Sequence, residues 1–283
     1  MKNKFEERII ENLTLEKEFS KAKEVIKRDE IKLEDFEDLY GKENVQKDKE
    51  YVRKMEYLFN KERNSEKDNS SKLATIFESV IHEHGELSDW FGSSAFTIKT
   101  SRYDDIKNGV DEIVEFIEEN KKFSHLALGV DVTIANETYS KFKKIIDEIN
   151  QGKLAEIKYF KSDELGIRGE LKNVPRVIIS VEGETVKELG GMWLEGKNKE
   201  LSEHFIQYQI LEEILLQSKF FSLYAEKKNQ IKIKDTYEHL NKIIENIYQQ
   251  KIQNKKEVNK TYGKDRAFYT IKDILNFFEE NYG

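Results

Sequence analysis

The sequence predicts an α/β protein: a mixed central sheet in the order helix, strand, strand, strand, helix, strand, flanked by charged helices at both ends. Three observations carry that expectation. Apolar residues recur at helical spacing before residue 92 and after residue 200. Between them lie short runs rich in β-branched and aromatic residues, and one amphipathic helix interrupts those runs.

Composition sets the frame. The 283 residues are 36% charged and 37% hydrophobic, with one proline and no cysteine. Without cysteine there is no disulfide, no thiolate nucleophile and no Cys-based zinc or iron–sulfur site, which fits a reducing compartment. No stretch reaches the roughly 20 apolar residues of a membrane helix. The start, Met1-Lys2-Asn3-Lys4-Phe5-Glu6-Glu7, lacks the apolar run of a signal peptide, so a cytoplasmic chain without a membrane partner is expected. A net charge of −7 gives no global pull toward nucleic acid; such a partner has to be argued from local patches.

Residues 1–68 form a charged helical arm with 17 Lys/Arg and 19 Asp/Glu. Leu13, Leu15, Phe19, Ala22 and Ile26, then Tyr51, Met55, Leu58 and Phe59, predict two amphipathic helices around a polar turn near Gly41. Asn69-Ser70-Ser71 closes the arm and can cap the next helix. Residues 69–226 are the α/β core. A dense helix through Ile76, Phe77, Val80, Ile81 and Leu87 stops near Trp90-Phe91-Gly92. Strands are expected at Ala95 to Thr100, Val110 to Ile117, His125 to Ile134, Leu154 to Phe160 and Val174 to Val181. The helix from Tyr139 to Gln151, ended by Gly152, is a crossover that makes its flanking strands parallel. Pro175 begins the last strand, where a missing N–H is tolerable. From Leu201 a helix with a broad apolar face, Phe205 to Tyr224, covers the sheet. Residues 227–283 are a Lys-rich helical region, with 11 basic and 5 acidic side chains over 227–266, ending in a helix at Ile271 to Phe278.

Two carboxylates stand inside apolar strands, in Gly109-Val110-Asp111-Glu112-Ile113 and Leu128-Gly129-Val130-Asp131-Val132. The polar segment Glu118 to Lys122 turns near residue 120 or 121, so the strands pair as an antiparallel hairpin. A turn centred on 121 sets Asp111 opposite Asp131 with Cβ atoms about 5 Å apart; a shift of one residue leaves them diagonal. Like charges at that distance need a cation, a shared proton or a basic partner. Oxygen ligands suit Mg²⁺ or Mn²⁺, which can polarise a phosphodiester or activate water. The plainer alternative has Asp111 capping a strand start and Asp131 in a polar loop.

These residues resemble the PD-(D/E)XK nuclease superfamily, the restriction-endonuclease-like fold, over roughly residues 70–182. In that family an acid begins the second strand, an acidic-x-Lys tripeptide lies on the third, and a Glu of the first helix often joins the metal shell. Gly109-Val110-Asp111 looks like the first element and Asp131-Val132-Thr133 takes the place of the second. Glu78, in Ile76-Phe77-Glu78-Ser79-Val80, matches the helix acid. The motif lysine is displaced: Thr133 stands on its face of the strand. Some members supply the lysine from the following helix, where Lys141 stands ahead of Lys143 and Lys144, with Lys158 a second candidate on the neighbouring strand. The resemblance implies a Mg²⁺-dependent endo- or exonuclease acting on DNA, with RNA open. Asp111, Asp131 and Glu78 would be metal ligands and Lys141 a catalytic group. A non-catalytic nucleic-acid- or protein-binding scaffold on a degenerate nuclease fold is the competing expectation, and a homodimer is an open alternative to a monomer.

Other groups signal less. His82-Glu83-His84 lacks the i, i+4 spacing of a zinc protease, and His125, His204 and His239 are scattered, so all five histidines are read as structural or surface residues. Asp104 and Asp105 are read as a loop leading to the strand, with a place in the metal shell as the alternative. Arg168 to Arg176 brings cations to the last strand, and Tyr237, Tyr248 and Tyr262 interleave the Lys-rich tail, both compatible with backbone phosphates or with a solvated surface.

Overall fold

A computed structural model describes residues 4–61, 65–118, 122–132, 135–253 and 263–282. Helix α1 (Lys4–Asp29) is followed by a 3₁₀ turn (Leu33–Phe36), α2 (Glu37–Tyr40), α3 (Lys42–Lys61) and α4 (Ser65–Leu87). Gly41, at φ +79°, makes the expected turn between them. The arm is docked along a narrow stripe: Ala22 and Val25 of α1 are buried against α4 and α7 (Gly183–Leu194), while Leu13 is exposed. Asn69-Ser70-Ser71 does not close a segment. It lies inside the first turns of α4, because the stripe of Leu73, Ile76, Phe77, Val80 and Ile81 holds the helix together, and the Ser71 carbonyl accepts the Thr75 hydroxyl within it.

The sheet contains β1 (Ala95–Lys99), β2 (Glu112–Ile117), β3 (Phe123–Val132) and β6 (Arg176–Val181) in that spatial order. The first two pairings are antiparallel and β3 runs parallel to β6. Between β1 and β2 lies a short helix, α5 (Arg102–Asn108), capped by Ser101, so Asp104 and Asp105 are helical rather than in a loop. The crossover is α6 (Ala135–Asn150), ended by Gly152 at φ +69°. Its parallel partner is β6 and not the strand that directly follows it. Strands β4 (Ala155–Ser162) and β5 (Ile167–Val174) form a separate antiparallel hairpin instead. The burial patterns explain the difference. Every residue of β6 is buried, as a parallel strand covered on both faces requires, whereas β4 alternates and lays Ala155, Ile157 and Phe160 on Ile113 and Ala127 of the sheet. The expected strand from Val174 to Val181 is thus split at Pro175, which separates β5 from β6.

The chain closes with α7, α8 (Asn198–Glu203), α9 (Ile206–Lys227), α10 (Ile231–Gln253) and α11 (Arg266–Tyr282). Helix α9 covers β6, as expected, and does so with polar side chains. Along the edge of β6 away from β3, Gln217 accepts from the Ile178 N–H at 2.8 Å and donates to its carbonyl at 2.7 Å. Glu213 accepts from the Ser180 N–H at 3.0 Å, and Asp265 accepts from Glu182 N–H at 2.8 Å. The Tyr237 hydroxyl of α10 donates to the Arg176 carbonyl at 3.1 Å. Alternate residues of an edge strand present their backbone outward, and here each is met by a side chain.

Candidate active site

In the β2–β3 hairpin Glu112 pairs with Leu128, and the Glu118 N–H donates to the Lys122 carbonyl at 2.8 Å. The register is therefore centred on residue 120. Asp111, just before β2, stands level with Gly129; its N–H donates to the Leu128 carbonyl at 2.9 Å. Asp111 and Asp131 are not directly opposite, as a turn centred on 121 required, but diagonal. Asp131 pairs through its backbone with Ser180 of β6, while its side chain, and Thr133 altogether, lie outside the described residues.

The Asp111 carboxylate accepts the Val130 N–H at 2.7 Å. The carbonyl of Val130 accepts Lys141 Nζ at 2.6 Å. Two side chains named from sequence, one just before β2 and one on α6, thus bond the N–H and the carbonyl of one residue of β3. Glu78 reaches the same end of the sheet through a residue that sequence reasoning missed. Lys99, at the end of β1 and 4% exposed, sets its ammonium 3.2 Å from Glu78 Oε2 and 2.5 Å from the Asp111 carbonyl. At the end of a polar strand it gave no signal beyond an ordinary surface lysine.

The electrostatics are those of a crowded acidic cluster with cations built in. Burial raises the Glu78 pKa; Lys99 counters that, and nearby Asp111 adds to it. Burial, then Asp111, push Asp105 up to about 8, with Arg102 opposing and Glu78 contributing. Burial alone would depress Lys99, but Glu78, Glu112, Asp111 and Asp105 hold its proton above the ordinary range. Arg102 pairs with Asp105 and donates from Nε to Glu56 at 3.0 Å, so α3 also closes on the site. Glu112, 1% exposed on β2, keeps Oε1 2.8 Å from His82 Nδ1, while its Oε2 has no partner. His82 in turn meets Asp29 at 3.2 Å, tying α1 to the sheet in the structural role expected of the histidines.

Several sequence candidates lie elsewhere. Lys158 does not reach the site: its ammonium pairs with Asp48 and faces the rings of Tyr40, Tyr103 and Tyr159. Asp104 is a clasp, accepting the N–H groups of Lys158 and Tyr159 at 2.8 and 3.0 Å and so docking β4 on α5. Arg168 pairs with Asp38, and Lys172 with Glu170. Tyr237 is buried under β6, Tyr248 bonds Glu212, and Tyr262 lies outside the described residues. Lys143 is exposed.

On the β1 side a cleft of about 720 Å³ opens between α1, α4 and the β4 end, with Lys99, His82, Asp29 and Glu115 among its walls. Among the described residues no three Asp, Glu or His side chains converge at metal-ligand spacing. The chain matches no family model, no curated protein and no solved structure. Its chemistry has to be read from its own residues. Carboxylate oxygen is the donor type a hard divalent cation takes; the raised proton affinity of Glu78 and Asp105 comes first from burial, with Asp111 adding to it.

Proposed function

We propose that this chain is a Mg²⁺- or Mn²⁺-dependent nuclease with the restriction-endonuclease-like fold, hydrolysing phosphodiester bonds of DNA. The observation that carries the reading is the succession α4, β1, β2, β3, α6, β6 in a sheet paired antiparallel, antiparallel and parallel, with Asp111 leading into the second strand beside a helix acid. Asp111, Asp131 and Glu78 are the residues that would hold the cation. Once bound, it would polarise the phosphodiester and lower the pKa of the attacking water.

The chain's own groups divide the remaining work. Asp111 is oriented by the Val130 N–H, which fixes one carboxylate oxygen and leaves the other for a ligand. Lys141, on the carbonyl side of Val130, would take the part of the family's motif lysine, assisting the nucleophile or the charge developing on the phosphate. Lys99 keeps Glu78 in place while the acids stand close together.

Thermal unfolding with and without Mn²⁺, paired with plasmid and linear-DNA cleavage, tests the reading. Metal is expected to raise the melting temperature. Asp131→Asn and Asp111→Asn are each expected to remove the shift and the cleavage while remaining folded. Unchanged melting with metal and intact DNA would sink the nuclease reading and leave the alternative, a non-cutting scaffold in which Lys99 serves as the internal counter-ion.

A further inference from the structure

Beside the acids, on the β3 and β6 side, lies a group of cations that the chemistry above does not use. The carbonyl of Asn108, at the C-terminal end of α5, accepts Lys144 Nζ at 2.7 Å and Arg176 Nη1 at 2.5 Å. Gly109 follows at φ +69°, and a Cβ built there would stand 3.3 Å from Lys144 Nζ and 3.5 Å from Arg176 Nη1. The left-handed backbone favours glycine at this point, and its bare Cα leaves room for both cations. Arg176 is buried, gives Nη2 to Glu148 at 2.7 Å, and keeps a buried Nε–H with no acceptor. Lys107 and Lys144 are exposed.

The charges do not balance. Around Lys144 the charged groups are Arg176, Glu148 and Lys107, two cations to one acid, and the Lys107 ammonium also stands 5.2 Å from the centre of the Tyr51 ring. Burial depresses the Lys144 ammonium; Arg176 lowers it further, Glu148 opposes that, and Lys107 adds to it, the pattern of a cation short of an anion. Lys144 retains two donors after bonding Asn108. It also lies one helical turn from Lys141, so both lysines present from one edge of α6 toward the two sides of Asp111. The cleft on the β1 side is the opposite kind of surface, lined by eight carboxylates against four lysines and arginines, and it repels a polyanion.

We propose that Lys144 and Lys107, backed by Arg176, form a positioning site for a DNA backbone phosphate adjoining the one to be cut, so that the strand crosses the α5–α6 edge and not the acidic cleft. The inference rests on the nuclease reading and adds the direction of approach. These are positioning residues: they set where the backbone lies and touch no reacting atom.

The test is fluorescence anisotropy of a labelled duplex in EDTA across a salt series, with Lys144→Ala, Lys107→Ala and Lys144→Glu beside wild type, and Lys161→Ala in the acidic cleft as control. Neutralising one phosphate contact carries a slope of about 0.9 in log K against log salt. Each alanine variant is therefore expected to lower the slope by about 1 and to weaken binding about tenfold at 0.1 M salt, with Lys144→Glu weaker still. Lys161→Ala is expected to match wild type. At saturating DNA the alanine variants should cut at the wild-type rate with raised KM. A wild-type slope in Lys144→Ala and Lys107→Ala overturns the positioning site while leaving the nuclease reading standing. Wild-type protein that neither binds nor cuts DNA overturns both.

Discussion

At the scale of single residues, Lys99 decides how the acids coexist. Its ammonium is shared by the Glu78 carboxylate and the Asp111 carbonyl in a nearly water-free position. Removing one member of such a pair leaves an uncompensated charge, so Lys99→Met is expected to cost about 3–5 kcal/mol in metal-free protein, read from urea unfolding. The double variant Lys99→Met/Glu78→Gln should cost clearly less than the sum of the singles, since it removes both charges. Asp111 drew attention in the sequence because an acid within an apolar run needs a reason, and Glu78 only through the resemblance to a known superfamily. Lys99 and Glu112 did not, and Asp105 reads as part of a loop. A charged residue at a strand end or helix face looks the same whether its side chain is solvated or buried against a partner, and the partners here come from α3, α4 and α5. The register of the hairpin shows the same limit. A polar turn locates itself to within a residue, and one residue separates an opposed pair of aspartates from a diagonal one.

Among the elements, β6 and its covering helix carry the clearest energetic statement. Gln217 satisfies both backbone groups of Ile178, so Gln217→Leu strands a buried N–H and a buried carbonyl. The expected loss is on the order of 3 kcal/mol, checked by equilibrium unfolding, whereas the exposed neighbour Lys219→Ala should be nearly neutral. The strands, the crossover helix α6 and the covering helix α9 were readable from periodicity and from the glycine that ends α6. The partner of the crossover was not, since β4 and β6 are both short apolar runs and only packing decides which enters the sheet. Helix α7 carried no expectation at all. Gly190 and Gly191 weaken its helical signature, yet a Cβ on Gly190 would stand 3.0 Å from the carboxyl carbon of Glu18, which explains why the position is bare.

Across the whole molecule the net charge of −7 hides a division: acids gather at the cleft beside β1, cations at the α5–α6 edge. The charged arm takes part in the same balance. Glu18 of α1 is buried against α7, where burial raises its pKa to about 7 with Lys187 opposing. A carboxyl that holds its proton longer folded than unfolded contributes stability that is complete below about pH 4.5 and is lost as pH rises through about 7. Stability is thus expected to fall between about pH 5 and 7.5, and Glu18→Gln to flatten that fall, as followed by chemical unfolding at each pH. The side chains along β6 have a further consequence for how copies of this chain can meet. A strand offered by a neighbour finds the Ile178 donor and acceptor and the Ser180 donor already taken, and at the other margin of the sheet Glu86 has claimed the Thr97 N–H. The sheet is a poor template for a second one, which guards a concentrated solution against edge-to-edge growth and leaves helical surfaces to carry any pairing that cutting both strands of a duplex would require.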